Sequence, residues 1–247
     1  MVTRGLGQLM QTPSPAGVTE GARPPRAKPE LISAVRARQA NRLLSCAASL
    51  DYKGKERHDG TTDDFGTFGR FTETPVDAMP PTMKEAYDFT VGLRGLVPGP
   101  HRIWLANPEL SKTIVPTGAY FQRTSTLTKP EIEIATIVVN AHWCCAYATY
   151  EHEIIGERGG HLDPRRVEAL IAGLPTSFDD PRQQVVYELA SAMVASRIVP
   201  LGLYRRAQQL LGDAGIVDVA VLLGWFTMVC MTLGAYDVPA NAQGMDQ

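Results

Sequence analysis

Hydrophobic residues recur with helical spacing through the C-terminal two-thirds of the chain, between clear helix start and stop signals. Asn107-Pro108 is typical of a helix start, and Thr128 and Glu131 have the spacing of a capping box. No Asn-Gly or Asp-Gly turn separates alternating runs, so the pattern predicts an all-α fold. The predicted helices cover residues 81–93, 108–122, 130–142, a segment that begins at 144 or 145 and ends at 159–160, 164–173, 181–197, 200–211 and 216–233.

The region from residue 1 to 75 has a different composition. Its first 50 residues carry seven Arg or Lys against Glu20 and Glu30, and several prolines. Such a segment buries too little apolar area to offset chain entropy, which predicts a disordered or extended arm with at most one helix near residues 30–50. A transit peptide is an alternative, since the segment is Arg-rich and poor in acids. Residues 76–247 are expected to form the helical domain.

The net charge and the hydropathy of the chain limit the classes of binding partner to be expected. A net charge of −2 gives no electrostatic reason to expect nucleic acid or an anionic membrane. The most apolar stretch, residues 216–233, contains Asp218 and is interpreted as a core helix rather than a membrane span. The four cysteines form no secreted-domain framework. A cytoplasmic protein acting on a small molecule is therefore expected.

The segment from Thr128 to His161 concentrates the titratable chemistry, with two of the four cysteines and three of the five histidines. Cys145 falls at a predicted helix start, where the helix dipole favours a thiolate. His152 lies two turns further on, roughly 10 Å along the axis, so it cannot act directly on Cys145. Glu133, on the preceding helix, could approach the first turn of the next one. The spacings CxxC and HxxxH are absent, so no metal site is expected.

Each of these residues also has a structural interpretation. A free cysteine such as Cys145 is often a small buried hydrophobe. His152, between two glutamates, could be a solvated surface residue, and so could Glu133. From the residues alone, both interpretations stay open.

Glu133, Cys145 twelve residues later and His152 seven after that resemble the carboxymuconolactone decarboxylase family, which includes the AhpD-type alkylhydroperoxidases. The resemblance covers about residues 80–239, and AYATYEHE is similar to the family signature YEWxxHE. It implies an AhpD-like helical bundle assembled as a homo-oligomer, a trimer or a multiple of it, and it implies no cofactor.

The resemblance also implies roles for individual residues. Glu133 and His152 match the acid/base carboxylate and imidazole of the family, and Tyr147 matches a tyrosine that could orient a substrate oxygen. Cys145 matches the first cysteine of the hydroperoxidase CxxC pair. Ala148 stands where the second cysteine would be, so that pair is absent here.

Three functions follow as alternatives. The first is acid/base decarboxylation or isomerisation of a small carboxylated lactone or related acid. The second is thiol-dependent reduction of an alkyl hydroperoxide through Cys145. The third is a non-catalytic helical oligomer that binds a small apolar ligand. The missing second cysteine favours the first over the second, because a thiol redox cycle needs a resolving thiol within reach.

The chain also contains an internal similarity between two segments, which is called the echo below. A shift of 85 residues places Glu133 on Asp218, Cys145 on Cys230 and His152 on Asp237. If the echo is a repeat, its second copy is structural, because a carboxylate cannot replace imidazole as an acid/base group near neutral pH. Cys230 is then expected to be buried in a continuous helix and slower to alkylate than Cys145.

Overall fold

The all-α fold class is confirmed by the computed structural model, which describes residues 66–159, 161–195 and 197–245. The predictions for the arm fall mostly on residues 1–65, outside this range. The part of the chain so described forms eight α-helices and one isolated β-bridge, Phe68 with Phe71. The helices are α1 (Pro81–Arg94), α2 (His101–Trp104), α3 (Pro108–Arg123), α4 (Lys129–Trp143), α5 (Ala146–Arg158), α6 (Pro164–Ile171), α7 (Pro181–Val194) and α8 (Leu201–Ala235).

The helix ends are set by local signals in the sequence. The Asn107 side chain accepts a hydrogen bond from the Leu110 N–H at 3.2 Å and starts α3. The Thr128 N–H donates to the Glu131 carboxylate at 2.8 Å, closing the predicted capping box of α4. Gly95, with φ of 82°, ends α1 in the left-handed conformation.

Two helices differ from the prediction. Residues 101–104, for which no helix is predicted, form the short helix α2. The helices predicted over 200–211 and 216–233 join into α8, with a break at Gly212, whose φ of 68° and ψ of 177° are not helical. The connection between the two helices is therefore a single residue. Only glycine adopts its backbone conformation without strain.

Helix α4 is the centre of the bundle. Every residue from Glu131 to Asn140 is buried, because α5, α6, α7 and α8 all pack against it. A helix that is enclosed on all sides cannot show a single apolar stripe, and this explains the almost continuous apolar run Ile134–Val139.

A buried ion pair ties α4 to α7. The Glu131 side chain is 2% exposed, and its two oxygens accept from Arg182 Nε at 2.8 Å and from its terminal nitrogen at 3.1 Å. Arg182 also donates to the Leu210 carbonyl oxygen at 2.7 Å. One guanidinium thus holds the starts of α4 and α7 to the first half of α8, and its two-pronged geometry fixes their orientation.

Helix α8 is long and apolar enough to cross a bilayer, by length and composition alone. Its most apolar window has a mean hydropathy of 2.1, and half of that window is buried inside the protein. Leu222, Cys230 and Leu233 belong to the same core cluster as Ile134 of α4. Packing of this kind is what a core helix shows.

The segment before α1 packs on the bundle. Phe68 is completely buried and contacts the Tyr147 ring edge to face, with centroids 5.2 Å apart. Glu73, also buried, pairs with Arg102 at 2.5 Å. The predicted boundary after residue 75 places residues 66–75 in the arm. In the structure these residues make core contacts with the helical domain. Their burial depends on distant partners that the local composition does not reveal.

Asp218 of α8 closes the loop between α3 and α4. Its carboxylate accepts from Tyr120 Oη at 2.7 Å, from Ser125 Oγ at 3.0 Å, and from the Thr126 backbone N–H and hydroxyl at 2.8 Å each. Burial alone would raise the pKa of Asp218, but these donors lower it below its ordinary value. The acidic residue in the second copy of the echo is thus a structural anchor.

We expect Asp218→Asn to lower the free energy of unfolding by about 3 kcal/mol, because an amide cannot accept all four hydrogen bonds. The wild-type contribution is present above the ordinary carboxyl pKa and is lost as the pH falls through the lowered folded-state value. Urea unfolding at pH 7 and at successively lower pH measures both effects. The difference between variant and wild type should shrink in acid, and a constant difference would contradict this role.

Candidate active site

The turn between α4 and α5 builds the first part of the site. Cys144 caps α4 in the left-handed conformation, with φ of 54° and ψ of 38°. The Cys145 N–H then donates to the Asn140 carbonyl oxygen at 3.1 Å, and Cys145 becomes the N-cap of α5. The tight turn folds α5 back along α4, so that residues of both helices face the same space.

Glu133 and His152 are brought together by this turn. His152 Nδ1 lies 2.7 Å from Glu133 Oε2, and the two side chains are 18% and 7% exposed. Because a carboxylate can only accept, Nδ1 carries the shared proton and Nε2 is left as the basic nitrogen. The Phe226 ring meets the imidazole edge to face at 4.9 Å and fixes its plane. This is the arrangement of an oriented general base.

The pair lies in the wall of a cavity of about 330 Å³, large enough for a small organic molecule. Most of the wall is apolar and comes from α3, α4, α5 and α8. The apolar side chains are Phe121, Ile132, Ala148, Ile155, Leu222, Trp225, Phe226, Val229 and Leu233. The polar and charged side chains are contributed by separate elements: Arg94, His101, Gln122, Lys129, Glu133, Tyr147, Glu151, His152 and His161.

Tyr147 lines the same cavity. Burial, together with the nearby Glu151 carboxylate, raises the pKa of Tyr147 to about 12, so its hydroxyl stays protonated at neutral pH. Gly99 packs against the ring: a Cβ at this position would meet Tyr147 Cε1 at 3.1 Å, and its φ is +43°. The loop before α2 thus needs a glycine both for its backbone and for its contact with the site.

Arg94 supplies positive charge to the cavity wall. Its Nε is buried and has no hydrogen-bond partner among the described residues. Burial, followed by the charge of Arg123, lowers the pKa of Arg94 from its ordinary value. A guanidinium nitrogen without a partner in a desolvated wall is a strong donor to a carboxylate or another anion.

His101 is a second polar residue of the wall that sequence reasoning missed. It is 3% exposed, stands edge-on to Trp104 at 4.8 Å, and its Nδ1 has no partner in the described part of the chain. Burial, with a smaller effect of Arg94, lowers its pKa to about 3, so the ring is neutral. Only its place directly after the Pro-Gly-Pro loop could have drawn attention to it.

Cys145 does not line the cavity. It is buried behind Ala148, one turn along α5, and its thiol hydrogen-bonds with Cys230 of α8. Cys230 is 5% exposed, so its expected burial is confirmed. The sequence placed this residue in a structural copy, away from the site. The structure places it against Cys145.

The geometry therefore brings Glu133, His152 and Tyr147 to one cavity and leaves Cys145 behind its wall. It adds Arg94 and His101, and it adds Cys230 as a neighbour of Cys145. Among residues 66–245 with their two single-residue gaps, no group of three His, Cys, Asp or Glu side chains could hold a metal ion.

The fold and the site together define a class of protein, an all-α bundle with a buried carboxylate–imidazole pair in the wall of a cavity. No protein-family model and no curated protein sequence matches the chain. A peroxidase-related, uncharacterized protein from Silicibacter sp. TM1040 is similar in structure, with a TM-score of 0.56 and 21% identity over 78% of this chain and 98% of its own.

The debrominase Bmp8 is similar too. Its apo structure has a TM-score of 0.54 at 13% identity, covering 68% of this chain and 90% of its own. The structure of a Bmp8 variant with 2,3,4-tribromopyrrole has a TM-score of 0.55 at 12% identity, covering 68% and 89%. At these identities the likeness is one of fold, and it confirms the AhpD-like helical bundle.

We expect the burial of neutral His101 to make the protein acid-sensitive. Its folded-state pKa of about 3 lies below the ordinary 6.5, so the unfolded state binds more protons between these values and stability falls as the pH drops through this window. The loss should reach roughly 2 kcal/mol by pH 5.

Thermal unfolding between pH 7 and pH 4.5 measures this effect. His101→Phe should flatten the dependence, since Phe fits between Trp104 and Trp225 without titrating. Trp104→Phe is the matched control, because it perturbs the same cluster and keeps the histidine. Equal pH slopes for wild type and His101→Phe would count against the interpretation.

Proposed function

We propose that the protein is an acid/base enzyme that decarboxylates or isomerises a small carboxylated lactone or a related acid. The observation that carries this proposal is the 2.7 Å contact between His152 and Glu133 in the wall of the cavity. A solvated surface histidine needs no such buried partner. An imidazole held by a carboxylate is oriented for proton transfer.

In this mechanism His152 Nε2 removes a proton from the carbon next to the substrate carbonyl, and Glu133 stabilises the imidazolium that forms. Tyr147 donates its hydroxyl proton in a hydrogen bond to the developing enolate oxygen. His152 then returns the proton to a neighbouring carbon in an isomerisation. A decarboxylation needs no prior proton removal: the C–C bond to the carboxylate breaks, carbon dioxide leaves, the bond's electron pair forms the enolate, and His152 delivers a proton taken from solvent to that carbon.

Arg94 supports an anionic substrate. Its unpartnered Nε lies in the cavity wall, where a substrate carboxylate would compensate the cost of a desolvated guanidinium. The apolar remainder of the wall favours a compact carbon skeleton over a long polar chain. Both features fit a small carboxylated ring better than a sugar or a peptide.

We expect His152→Gln and Glu133→Gln each to lower kcat by about 10²- to 10⁴-fold, the usual range for a general base and its support. Proton exchange between a panel of carboxylated lactones and deuterated water, followed by NMR, measures base action even where turnover is slow. Glu157→Gln on the same helix is the control and should exchange at the wild-type rate. Equal exchange in wild type and His152→Gln would contradict the proposal.

Thiol-dependent reduction of a hydroperoxide is the second candidate. The specific observation in its favour is the position of Cys145 at the N-cap of α5, where the Ala148 backbone N–H helps to lower the pKa of its thiol. The structural neighbours named as a debrominase and a peroxidase-related protein support catalysis on this fold in general. They favour neither candidate.

We also propose that the chain assembles as a homo-oligomer, a trimer or a multiple of it. Val217, Val221 and Met231 share one side of α8 and are 57%, 46% and 55% exposed, an apolar face that association would cover. Light scattering at micromolar concentration tests this, with Val221→Glu expected to weaken assembly. A monomeric wild type would end the idea.

A further inference from the structure

Cys145 and Cys230 lie against each other although they are far apart in the sequence and belong to different helices. Both are free, both are buried in the same core cluster, and each thiol shifts the pKa of the other. Asn140 connects them a second time: its backbone oxygen accepts from the Cys145 N–H at 3.1 Å, and its side-chain oxygen accepts from Cys230 Sγ at 3.4 Å. The contact therefore rests on the packing of α4, α5 and α8.

The two thiols differ in their surroundings. The neighbouring Cys230 thiol and the Ala148 backbone N–H together lower the pKa of Cys145, although burial opposes this. The hydrogen bond with Cys145, together with burial, raises the pKa of Cys230, which lies in the interior of α8 with no helix N-terminus nearby. Cys145 is thus suited to attack, and Cys230 is suited to remain a thiol until it is needed.

We propose that Cys145 and Cys230 form a dithiol redox pair in which Cys145 reacts with a hydroperoxide and Cys230 resolves it as an intramolecular disulfide. This inference rests on the second candidate function and supplies what that candidate lacks in the sequence. The position one turn after Cys145 is Ala148, which carries no thiol. In space, α8 provides the thiol that α5 does not.

The chemistry balances within the pair. The Cys145 thiolate attacks the distal oxygen of the hydroperoxide, the O–O bond breaks, and the departing alkoxide takes up a proton to leave as an alcohol. Cys145 is then a sulfenic acid. Cys230 attacks the Cys145 sulfur, the S–S bond forms, and the sulfenic oxygen leaves with the Cys230 proton as water. Two thiols are oxidised, and one hydroperoxide is reduced to an alcohol and water.

The cavity reaches residues that adjoin the pair. Ala148, whose N–H contacts the Cys145 sulfur, and Val229, next to Cys230 in the chain, both line it. The methyl group of Ala148 is the smallest side chain that could separate the cavity from the thiol. Because both thiols are buried, hydrogen peroxide or a short alkyl hydroperoxide suits the pair better than a bulky one.

The test treats the full-length, fully reduced protein with one equivalent of hydrogen peroxide after the reductant has been removed. Free thiols are then alkylated, and non-reducing peptide mass spectrometry maps the products. We expect a Cys145–Cys230 cross-link, with the loss of two hydrogens in mass and one peroxide consumed per chain. Met231→Leu is the matched control, because it removes an exposed oxidisable sulfur next to Cys230 and neither member of the pair, and it should give the same cross-link.

Cys230→Ser should leave a sulfenic acid on Cys145 that dimedone traps, and Cys145→Ser should abolish the cross-link. Cys230→Ala is the second variant should serine disturb the core, with folding checked by circular dichroism. If wild-type Cys145 forms a sulfenic acid that persists or pairs elsewhere, the inference fails and the second candidate stands. If Cys145 of the folded wild type stays reduced, both fail.

Discussion

The structure depends on the complete burial of one helix that carries two carboxylates. α4 is enclosed by four other helices, and Glu131 and Glu133 are both within its buried part. A buried carboxylate without a partner is strongly destabilising, so each needs a cationic or hydrogen-bonding group from a neighbouring helix. Glu131 takes Arg182 and Glu133 takes His152. The two pairs fix α7 and α5 on the central helix.

The two pairs have different consequences because their surroundings differ. Arg182 occupies both oxygens of Glu131 and also binds a carbonyl of α8, so that pair is saturated and structural. His152 uses one nitrogen for Glu133 and lines a cavity with the rest of its ring. The requirement that each buried carboxylate have a partner thus leaves His152 with a ring nitrogen that can still accept a proton. Of the two partners, Arg182 and His152, only His152 lies where a ligand could use that capacity.

Helix α8 contributes a second group of functional residues. Asp218 anchors its middle to the loop before α4, which sets where the following turns lie along the bundle. Those turns bring Trp225, Phe226 and Val229 to the cavity and Cys230 to Cys145. A structural hydrogen-bond network at one point of the helix therefore determines the position of side chains that define the cavity and the thiol pair more than two turns away.

The sequence by itself determined what local interactions encode. Helix caps act within three or four residues, so the starts at Asn107 and Thr128, the break at Cys144 and the all-α class could be predicted from short patterns. The pairing of Glu133 with His152 was within reach because one short turn connects their helices. Only the tertiary structure placed Arg94 and His101 in the cavity wall and Cys230 beside Cys145. These contacts join distant segments, and their geometry comes from the packing of α8 and of the loop before α2 on the buried central helix, which no local pattern records.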